Sequence, residues 1–483
     1  MHTLSKLLRG VATQQVIGNR NVSVKAICFD SRAVSQDALF VAVPGTKVDG
    51  HAYIPQAIAA GSSVIVCEQV PADLAPQVTY VVVDHSAEAL SKLAANFQNN
   101  PAAHLKLVAV TGTSGKTSTV HLLYGLFKQL GYRVGMLSTI YNKVDEQTCS
   151  ATLTTPDAVQ LHSLLARMVD QGCQYCFMEA SSHAMVQARM AGLQLAGAVF
   201  LNISHEHLDY HQTFDAYIKA KQQLFDELPA QAFALYNADD QRGTVMVQNT
   251  LAAQHSFAMK SLADFTAKLL ANTWQGIALR ITNKTAWFQL LGAFNAYNLL
   301  AAYATACLLA QDSDEVLLAL SSLLPIPGRF QRIHTPHNFD VIIDYAHKPG
   351  ALENVLTAIQ QIKSQQGKVI TVLGCGGNRD QQKRPLMARI ACKRSNQTIL
   401  TTDNSRDEDP QAILEAMKAG LSPAQQQKTW SIVDRATAIK VAYQLAHSHD
   451  VVLIAGKGHE HYQEIQGSKY PFSDEAVVRE LIG

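Results

Sequence analysis

Apolar residues along the chain fall into two rhythms. Short unbroken apolar runs lie within residues 105–110, 174–184, 197–211, 341–347, 369–377 and 451–460. They read as strands buried on both faces, each running into a polar or glycine-bearing turn. Elsewhere apolar residues return every three or four positions. Val120, Leu122, Leu123, Leu126, Phe127 and Leu130 are one such set; Tyr217, Leu224 and Phe225 are another. That spacing puts them on one helical face. Strand followed by helix, repeated, predicts an α/β fold with mostly parallel sheets.

The pattern divides into three domains. Residues 1–88 alternate short strands (24–32, 38–45, 63–70, 78–85) with a helix over 52–61, a small α/β domain with Pro44-Gly45 and Asp49-Gly50 as turns. Residues 89–331 form the largest block, with further segments at 152–159 and 234–240. Its helical stretch opens at Gly292-Ala293-Phe294-Asn295, and it closes on the linker Pro325-Ile326-Pro327-Gly328-Arg329-Phe330. Residues 332–483 repeat strand, loop and helix in the manner of a doubly wound, Rossmann-like sheet.

The central block carries the clearest chemistry. The strand at 105–110 runs into Thr111-Gly112-Thr113-Ser114-Gly115-Lys116-Thr117-Ser118, and a helix follows. Strand, glycine loop and helix make a phosphate cradle, with N–H groups and the helix dipole facing the anion. Lys116 would reach the β/γ-phosphates and Thr117 would hold Mg²⁺. Val110 stands where the longer phosphate-loop pattern has its first glycine, so the match is to the shorter G-x-x-G-K-[ST] form.

Composition narrows the class. The 483 residues are 47% hydrophobic, which suits two to four packed domains and excludes a largely disordered chain. Lys+Arg is 40 against 39 Asp+Glu, so a net charge of +1 gives no reason to expect nucleic acid or a membrane surface as partner. The eight cysteines are scattered, as in a reducing cytoplasm, and Cys173-x-x-Cys176 lacks a second pair at zinc spacing. The opening MHTLSKLLRG has no signal-peptide apolar core, and no run is long enough to span a membrane. A cytoplasmic protein is expected.

Several side chains stand at strand ends. Glu179 closes an apolar strand and suits a second Mg²⁺ anchor beside the phosphate loop, although a solvated strand-end carboxylate has the same signature. His205, Glu206, His207 and His211 could contact metal or phosphate, or be ordinary surface groups. Lys221, by spacing alone, reads as a solvated helix lysine. Asp344, His347, Arg379, Arg384, Asp403, Asn404, Arg406, His459 and Glu460 lie where α/β sheets bind ligands, and arginines there suit carboxylates.

Taken in order, these residues resemble the ATP-dependent Mur ligases. The resemblance rests on Gly112–Ser118, Met178-Glu-Ala-Ser-Ser-His-Ala184, His207-Leu-Asp-Tyr-His211, Tyr217 with Ala220-Lys221, Asn237-Ala-Asp-Asp240, Pro327-Gly-Arg329, Asp344-Tyr-Ala-His347 and Gly456-Lys-Gly-His-Glu460. It covers essentially the whole chain and is nearest to the branch that adds the third residue of the peptidoglycan stem peptide. It implies a UDP-binding first domain, an ATPase middle domain and an amino-acid-binding last domain. Gly112, Thr113, Ser114, Gly115, Lys116, Thr117 and Ser118 would bind ATP, with Asn295 and Arg329 as further nucleotide contacts. Thr117, Glu179 and His207 would serve Mg²⁺, and Lys221 aligns with a lysine that the family carbamylates. Lys116, Glu179, His207 and Lys221 are thus the implied catalytic set. Thr154, Thr155, Ser181, Gln187 and Arg189 match positions that hold the UDP-sugar peptide; Phe29, Ser31, Thr46, Lys47 and Val48 match its uridine side.

Asp403, Asn404, Ser405 and Arg406 stand at the amino-acid loop, with Arg384, Gly456 and Glu460 as further contacts. The branch using meso-2,6-diaminopimelate carries Asp-Asn-Pro-Arg there; this chain has serine for proline but keeps the arginine. Lysine lacks a distal carboxylate and would leave a buried Arg406 unpaired, which favours diaminopimelate. The implied reaction joins it to UDP-N-acetylmuramoyl-L-alanyl-D-glutamate through an acyl phosphate, in a monomeric enzyme. An L-lysine-adding ligase and a non-catalytic nucleotide-binding relative are the alternatives.

Overall fold

The computed structural model describes residues 2–45 and 48–483, and the chain divides into two compact units, one running to Ser256 and the other Phe257–Gly483. The α/β expectation holds in both.

The first unit contains two main sheets and a two-stranded antiparallel pair, His2–Thr3 with Ser23–Val24. The smaller has the order Gln15–Ile17, Thr79–Val82, Ser62–Cys67, Ala38–Val41, Ala26–Cys28, antiparallel only at its first pair. In the larger, five strands run parallel in the order Val134–Leu137, Tyr175–Glu179, Lys106–Thr111, Gly197–Phe200, Phe233–Asn237. The strand earliest in sequence, Lys106–Thr111, is therefore central, and the chain leaves it in opposite directions on its two sides. Such a switch point opens a crevice beyond the strand carboxyl ends. Register places Glu179 beside Val110 and Phe200 beside Thr111, so the strands end together there.

Leu107, Val108, Ala109 and Val110 are wholly buried, as the apolar run predicts. The helix Lys116–Gln129 buries Leu122, Leu123, Leu126 and Phe127. Phe127 meets Tyr175 at 4.5 Å and Phe177 at 4.9 Å between ring centres. The helix ends in a Schellman arrangement: Tyr132 N–H donates to the Phe127 carbonyl (3.0 Å) and Gly131 N–H to that of Lys128 (3.0 Å). Cys176 lies in the buried strand with its thiol pushed well up by burial, which fits a structural cysteine.

The second unit begins with an antiparallel meander, Phe265–Thr273, Gly276–Ile281, Lys284–Phe288, and the helix Phe294–Leu308. The alternation of strands and helices gave no hint of this meander, because its pairing is antiparallel and its two outer strands are only partly buried. The six-stranded sheet has the order Gln331–His334, Asp340–Asp344, Val451–Ala455, Val369–Cys375, Gln397–Thr402, Thr429–Ser431, parallel except for the first pair. Helices Pro349–Ile362, Lys383–Arg394 and Pro410–Lys418 pack on one face; Arg435–Leu445 and Asp474–Ile482 pack on the other. The doubly wound expectation is met. Beside the carboxyl ends lies a small hairpin, Tyr462–Ile465 with Ser468–Pro471.

Candidate active site

The phosphate loop leaves the central strand at Thr111. Gly115, with φ of +88°, turns the chain into the helix, a conformation that a side chain would strain. Asn202, at the end of the neighbouring strand, clamps the loop. Its amide oxygen accepts from Ser114 N–H (2.9 Å) and its amide nitrogen donates to the Ser114 carbonyl (3.0 Å), while its own carbonyl accepts from Thr113 N–H (2.9 Å). Lys116 Nζ folds over the loop and donates to the carbonyls of Gly112 (2.7 Å) and Thr113 (3.3 Å).

Two buried charged groups stand at the end of the strand that carries this loop. Glu179 is fully buried: one carboxylate oxygen accepts from Thr139 N–H (2.8 Å), and the other has no hydrogen-bond partner among the described residues. A buried carboxylate oxygen left over in this way is a fitting ligand for a cation. Lys221 is only 1% exposed, so the solvated reading that its spacing suggested does not hold. The helix Phe214–Asp226 delivers Nζ to Thr111 Oγ1 (3.2 Å) and the Gly112 carbonyl (3.2 Å), 4.9 Å from the Tyr217 ring centre. Thr111 Oγ1 in turn donates to the Ala180 carbonyl (2.9 Å), one residue beyond Glu179. Strand ends and helix thus bring residues separated by over a hundred positions into one polar knot.

The histidines form an aromatic group beside it. His207 has φ of +54° and its ring lies 4.8 Å from that of His183, while His211 Nε2 shares a hydrogen bond with Ser182 Oγ (2.9 Å). Tyr217 hydroxyl pairs with Thr113 Oγ1 (3.2 Å), and burial pushes its pKa up. Among the described residues no three His, Cys, Asp or Glu side chains gather as a self-sufficient metal site. The candidate set of Thr117, Glu179, His207 and Lys221 has only two such residues, so a cation there needs ligands from a phosphate or a modified lysine.

Next to the carboxylate, Thr155 hydroxyl donates to the Glu179 carbonyl (2.8 Å) and accepts from Ser181 N–H (3.0 Å). Ser181 caps the helix Ser182–Val186. Thr154 Oγ1 accepts from Thr139 Oγ1 (3.1 Å), and Arg189 donates to the Thr155 carbonyl (2.7 Å) and twice to Gln187 Oε1 (2.6 and 3.0 Å). These five candidate residues are therefore one connected group. In the smaller sheet, Ser31 donates to Gln56 Oε1 (3.0 Å), and Phe29 and Val48 are exposed. Thr46 and Lys47 lie outside the described residues.

In the second unit, Asn295 is buried at the start of its helix, donating to the Leu291 carbonyl (2.7 Å). Arg329 stacks 4.5 Å over the Tyr345 ring beside Asp344. Burial pushes the Asp344 carboxyl up to about 6, against the pull of Arg329 and of the Phe330 and Ala346 N–H groups that donate to it at 2.7 and 2.8 Å.

The remaining candidates cluster at the strand ends of the six-stranded sheet. Lys457 is fully buried and donates to Asp403 Oδ1 (3.3 Å), Asn404 Oδ1 (2.9 Å) and Glu460 Oε2 (2.9 Å); Asn404 also donates to Glu460 Oε2 (2.9 Å). Burial alone would raise the Asp403 carboxyl, but Lys457 and Arg435 hold it below the ordinary value. Arg384 pairs with Glu408 (2.9 Å). Ser405 is buried against Gly377, where a methyl group would stand 1.9 Å from the Ser405 carbonyl oxygen, so only glycine fits.

One expectation changes here. Arg406 pairs with Glu464 (3.1 Å) and its side chain is 21% exposed. It is neither unpaired nor fully buried without substrate, so desolvation alone does not exclude lysine. Asn202, Lys457, Glu408 and Glu464 were missed as site residues. Lys457 lies inside a quoted motif; the other three carry no sequence signal.

A phosphate loop with a buried, half-satisfied carboxylate and a buried lysine defines a nucleotide-binding α/β protein, and its second unit carries a doubly wound sheet. Three family models match in order: "Mur ligase family, catalytic domain" over residues 23–98, "Mur ligase middle domain" over 110–306 and "Mur ligase, glutamate ligase domain" over 328–458. The chain belongs to the Mur ligase family. It is 52% identical over 480 residues to the UDP-N-acetylmuramoyl-L-alanyl-D-glutamate–2,6-diaminopimelate ligase of Cytophaga hutchinsonii, covering 99% of each chain. The ligase of the same name from Phocaeicola vulgatus is 48% identical, again over 99% of each. A solved structure bearing that ligase name matches with a TM-score of 0.70 at 30% identity, covering 100% of this chain and 98% of that one.

Proposed function

We propose that the protein is an ATP-dependent ligase that joins meso-2,6-diaminopimelate to the D-glutamate carboxylate of UDP-N-acetylmuramoyl-L-alanyl-D-glutamate, in peptidoglycan synthesis. The substrates follow the names of its full-length relatives. The observation that carries the chemistry is that buried Glu179, beside Val110, and buried Lys221, bonded to the Gly112 carbonyl, stand at the end of the strand that carries the phosphate loop.

In this reading residues 1–88 hold the uridine side, 89–331 the nucleotide and 332–483 the amino acid. Phe29, Ser31, Thr46, Lys47 and Val48 serve the first part, and Asn295 and Arg329 add nucleotide contacts. The enzyme acts as a cytoplasmic monomer; among the described residues no helix is long and apolar enough to cross a membrane.

The loop N–H groups and Lys116 neutralise the ATP phosphates as the D-glutamate carboxylate attacks the γ-phosphorus. Thr155, Ser181, Gln187 and Arg189 orient that dipeptide end. Breaking the bond to ADP leaves an acyl phosphate. The neutral amine of diaminopimelate then attacks the acyl carbon, and the tetrahedral intermediate collapses to amide and inorganic phosphate. Glu460, Asn404 and Asp403 hold the amino acid's distal ammonium, and Arg406 and Arg384 face its carboxylates. Thr117, Glu179, His207 and a carbamylated Lys221 would hold Mg²⁺, which would supply charge neutralisation at the phosphates. Carbamylation would turn the Lys221 cation into an anion where a metal ligand is wanted: the ammonium loses one proton to give the neutral amine, which forms an N–C bond to CO₂ with loss of a second proton.

The test is phosphate release by the purified protein with ATP, Mg²⁺ and the UDP-linked dipeptide, with diaminopimelate and L-lysine supplied in parallel. Release with diaminopimelate alone is expected. Preference for lysine would overturn the substrate assignment, and no release with either would overturn the ligase reading.

A further inference from the structure

Arg406 sits in the left-handed region, φ +50°, which is costly for a residue with a side chain. The hairpin Tyr462–Ile465 with Ser468–Pro471 holds it there through main-chain bonds. Arg406 N–H donates to the Glu464 carbonyl (3.0 Å), and the Arg406 carbonyl accepts from Gln466 N–H (2.8 Å). Glu464 N–H donates to Asn404 Oδ1 (3.0 Å), tying the same strand to the candidate amino-acid loop. None of these bonds uses the Glu464 carboxylate.

That carboxylate is spent on the guanidinium. Arg406 Nε donates to Glu464 Oε2 at 3.1 Å, and Nη1 donates to the Gly377 carbonyl at 2.7 Å. Two contacts from two different segments fix both the position and the plane of the group. They leave the Nη2 hydrogens and the second Nη1 hydrogen as an open fork. A bidentate carboxylate pair depends on angular alignment, and a long arginine side chain loses rotamer entropy when it must be ordered on binding.

We propose that Glu464 is a positioning and specificity residue: it pre-orients Arg406 so that the open fork meets the distal carboxylate of the incoming amino acid. This rests on the reading of Arg406 as the distal-carboxylate site. Glu464 also replaces the desolvation argument for substrate choice. The pair keeps Arg406 satisfied when no substrate is bound, and selectivity comes from the fork geometry instead.

The experiment measures steady-state constants for diaminopimelate and lysine in the full-length enzyme with R406A, E464M, E464Q and the double variant E464M/R406A. Methionine keeps the length and packing of Glu464 but cannot accept a hydrogen bond; glutamine can. E464M is expected to raise KM for diaminopimelate about 10-fold, with kcat and the KM for ATP within about 2-fold, because an aligned charged pair is lost. E464Q should recover most of that loss. The preference for diaminopimelate over lysine should fall in E464M, whereas a general loosening would affect both amines alike. The double variant should be no worse than R406A. If R406A raises KM but E464M leaves it unchanged or lowers it, the role of Glu464 is refuted and the Arg406 reading stands. If R406A itself leaves the KM for diaminopimelate unchanged, the Arg406 reading falls and this inference with it.

Discussion

An amine taken out of water is easier to deprotonate, and only the neutral amine adds CO₂. Burial takes Lys221 out of water, whereas the Tyr217 ring, the acceptors on Thr111 and Gly112 and the half-satisfied Glu179 near the same strand ends suit a cation until the lysine is modified. K221A should lose about 10²-fold or more in kcat, the scale of one preorganised charge at a phosphoryl-transfer centre. Acetate or formate should restore part of it by standing in for the lost carbamate. Full activity without added carboxylate would remove the carbamate role. K116A should lose at least as much, and a near-normal kcat in that variant would defeat the phosphate-loop assignment. Spacing alone misjudged Lys221 because the helix face it occupies is buried by Thr111 and Gly112, residues more than a hundred positions earlier. Glu464 was invisible for a similar reason, since its partner Arg406 lies 58 positions away and the contact exists only once the hairpin has docked.

The strand Lys106–Thr111 and helix Lys116–Gln129 were legible because local rules and burial agree there. A continuous apolar run suits a strand covered on both faces, and the apolar positions of the helix fall on one side. Phe127 joins the helix to the neighbouring strand Tyr175–Glu179, wholly buried among Tyr132, Tyr175 and Phe177. F127A should destabilise the first unit by about 3–5 kcal/mol, through lost transfer energy and the cavity left behind. Native-state hydrogen exchange over residues 106–130 reads this directly; a loss under about 1 kcal/mol would show that the site collapses and that the helix is held by other contacts. The elements that escaped sequence reading share one property. The meander Phe265–Thr273, Gly276–Ile281, Lys284–Phe288 and the hairpin Tyr462–Ile465 with Ser468–Pro471 are joined by antiparallel pairing, and outside the short buried strand Gly276–Ile281 they have little continuous apolar burial to mark them. The candidate site was legible where it rests on motifs at strand ends, and obscure where it rests on partners supplied by such pairings.

At the scale of the molecule, near-equal numbers of acidic and basic residues leave pH dependence to a few buried groups rather than to net charge. Asp344 is one with a clear sign. Its carboxyl, pushed up by burial to about 6, binds a proton more tightly in the folded state than in the unfolded chain, where the value is 3.8. Between those two values the folded state holds more protons, so the contribution of Asp344 to stability falls as pH rises from about 4 to about 6 and is flat beyond. Asparagine has no such titration and is close in shape. Relative to the parent, D344N should therefore gain about 2 kcal/mol between pH 4.5 and 7.5, whatever its fixed cost from losing an acceptor for the Phe330 or Ala346 N–H. The difference between the two proteins cancels every other titrating group. Because Asp344 lies in the unit Phe257–Gly483, amide exchange within that unit should carry the change. A D344N offset that is the same at both pH values would mean that Asp344 is ionised throughout, held by Arg329 and the two N–H donors strongly enough to outweigh its burial.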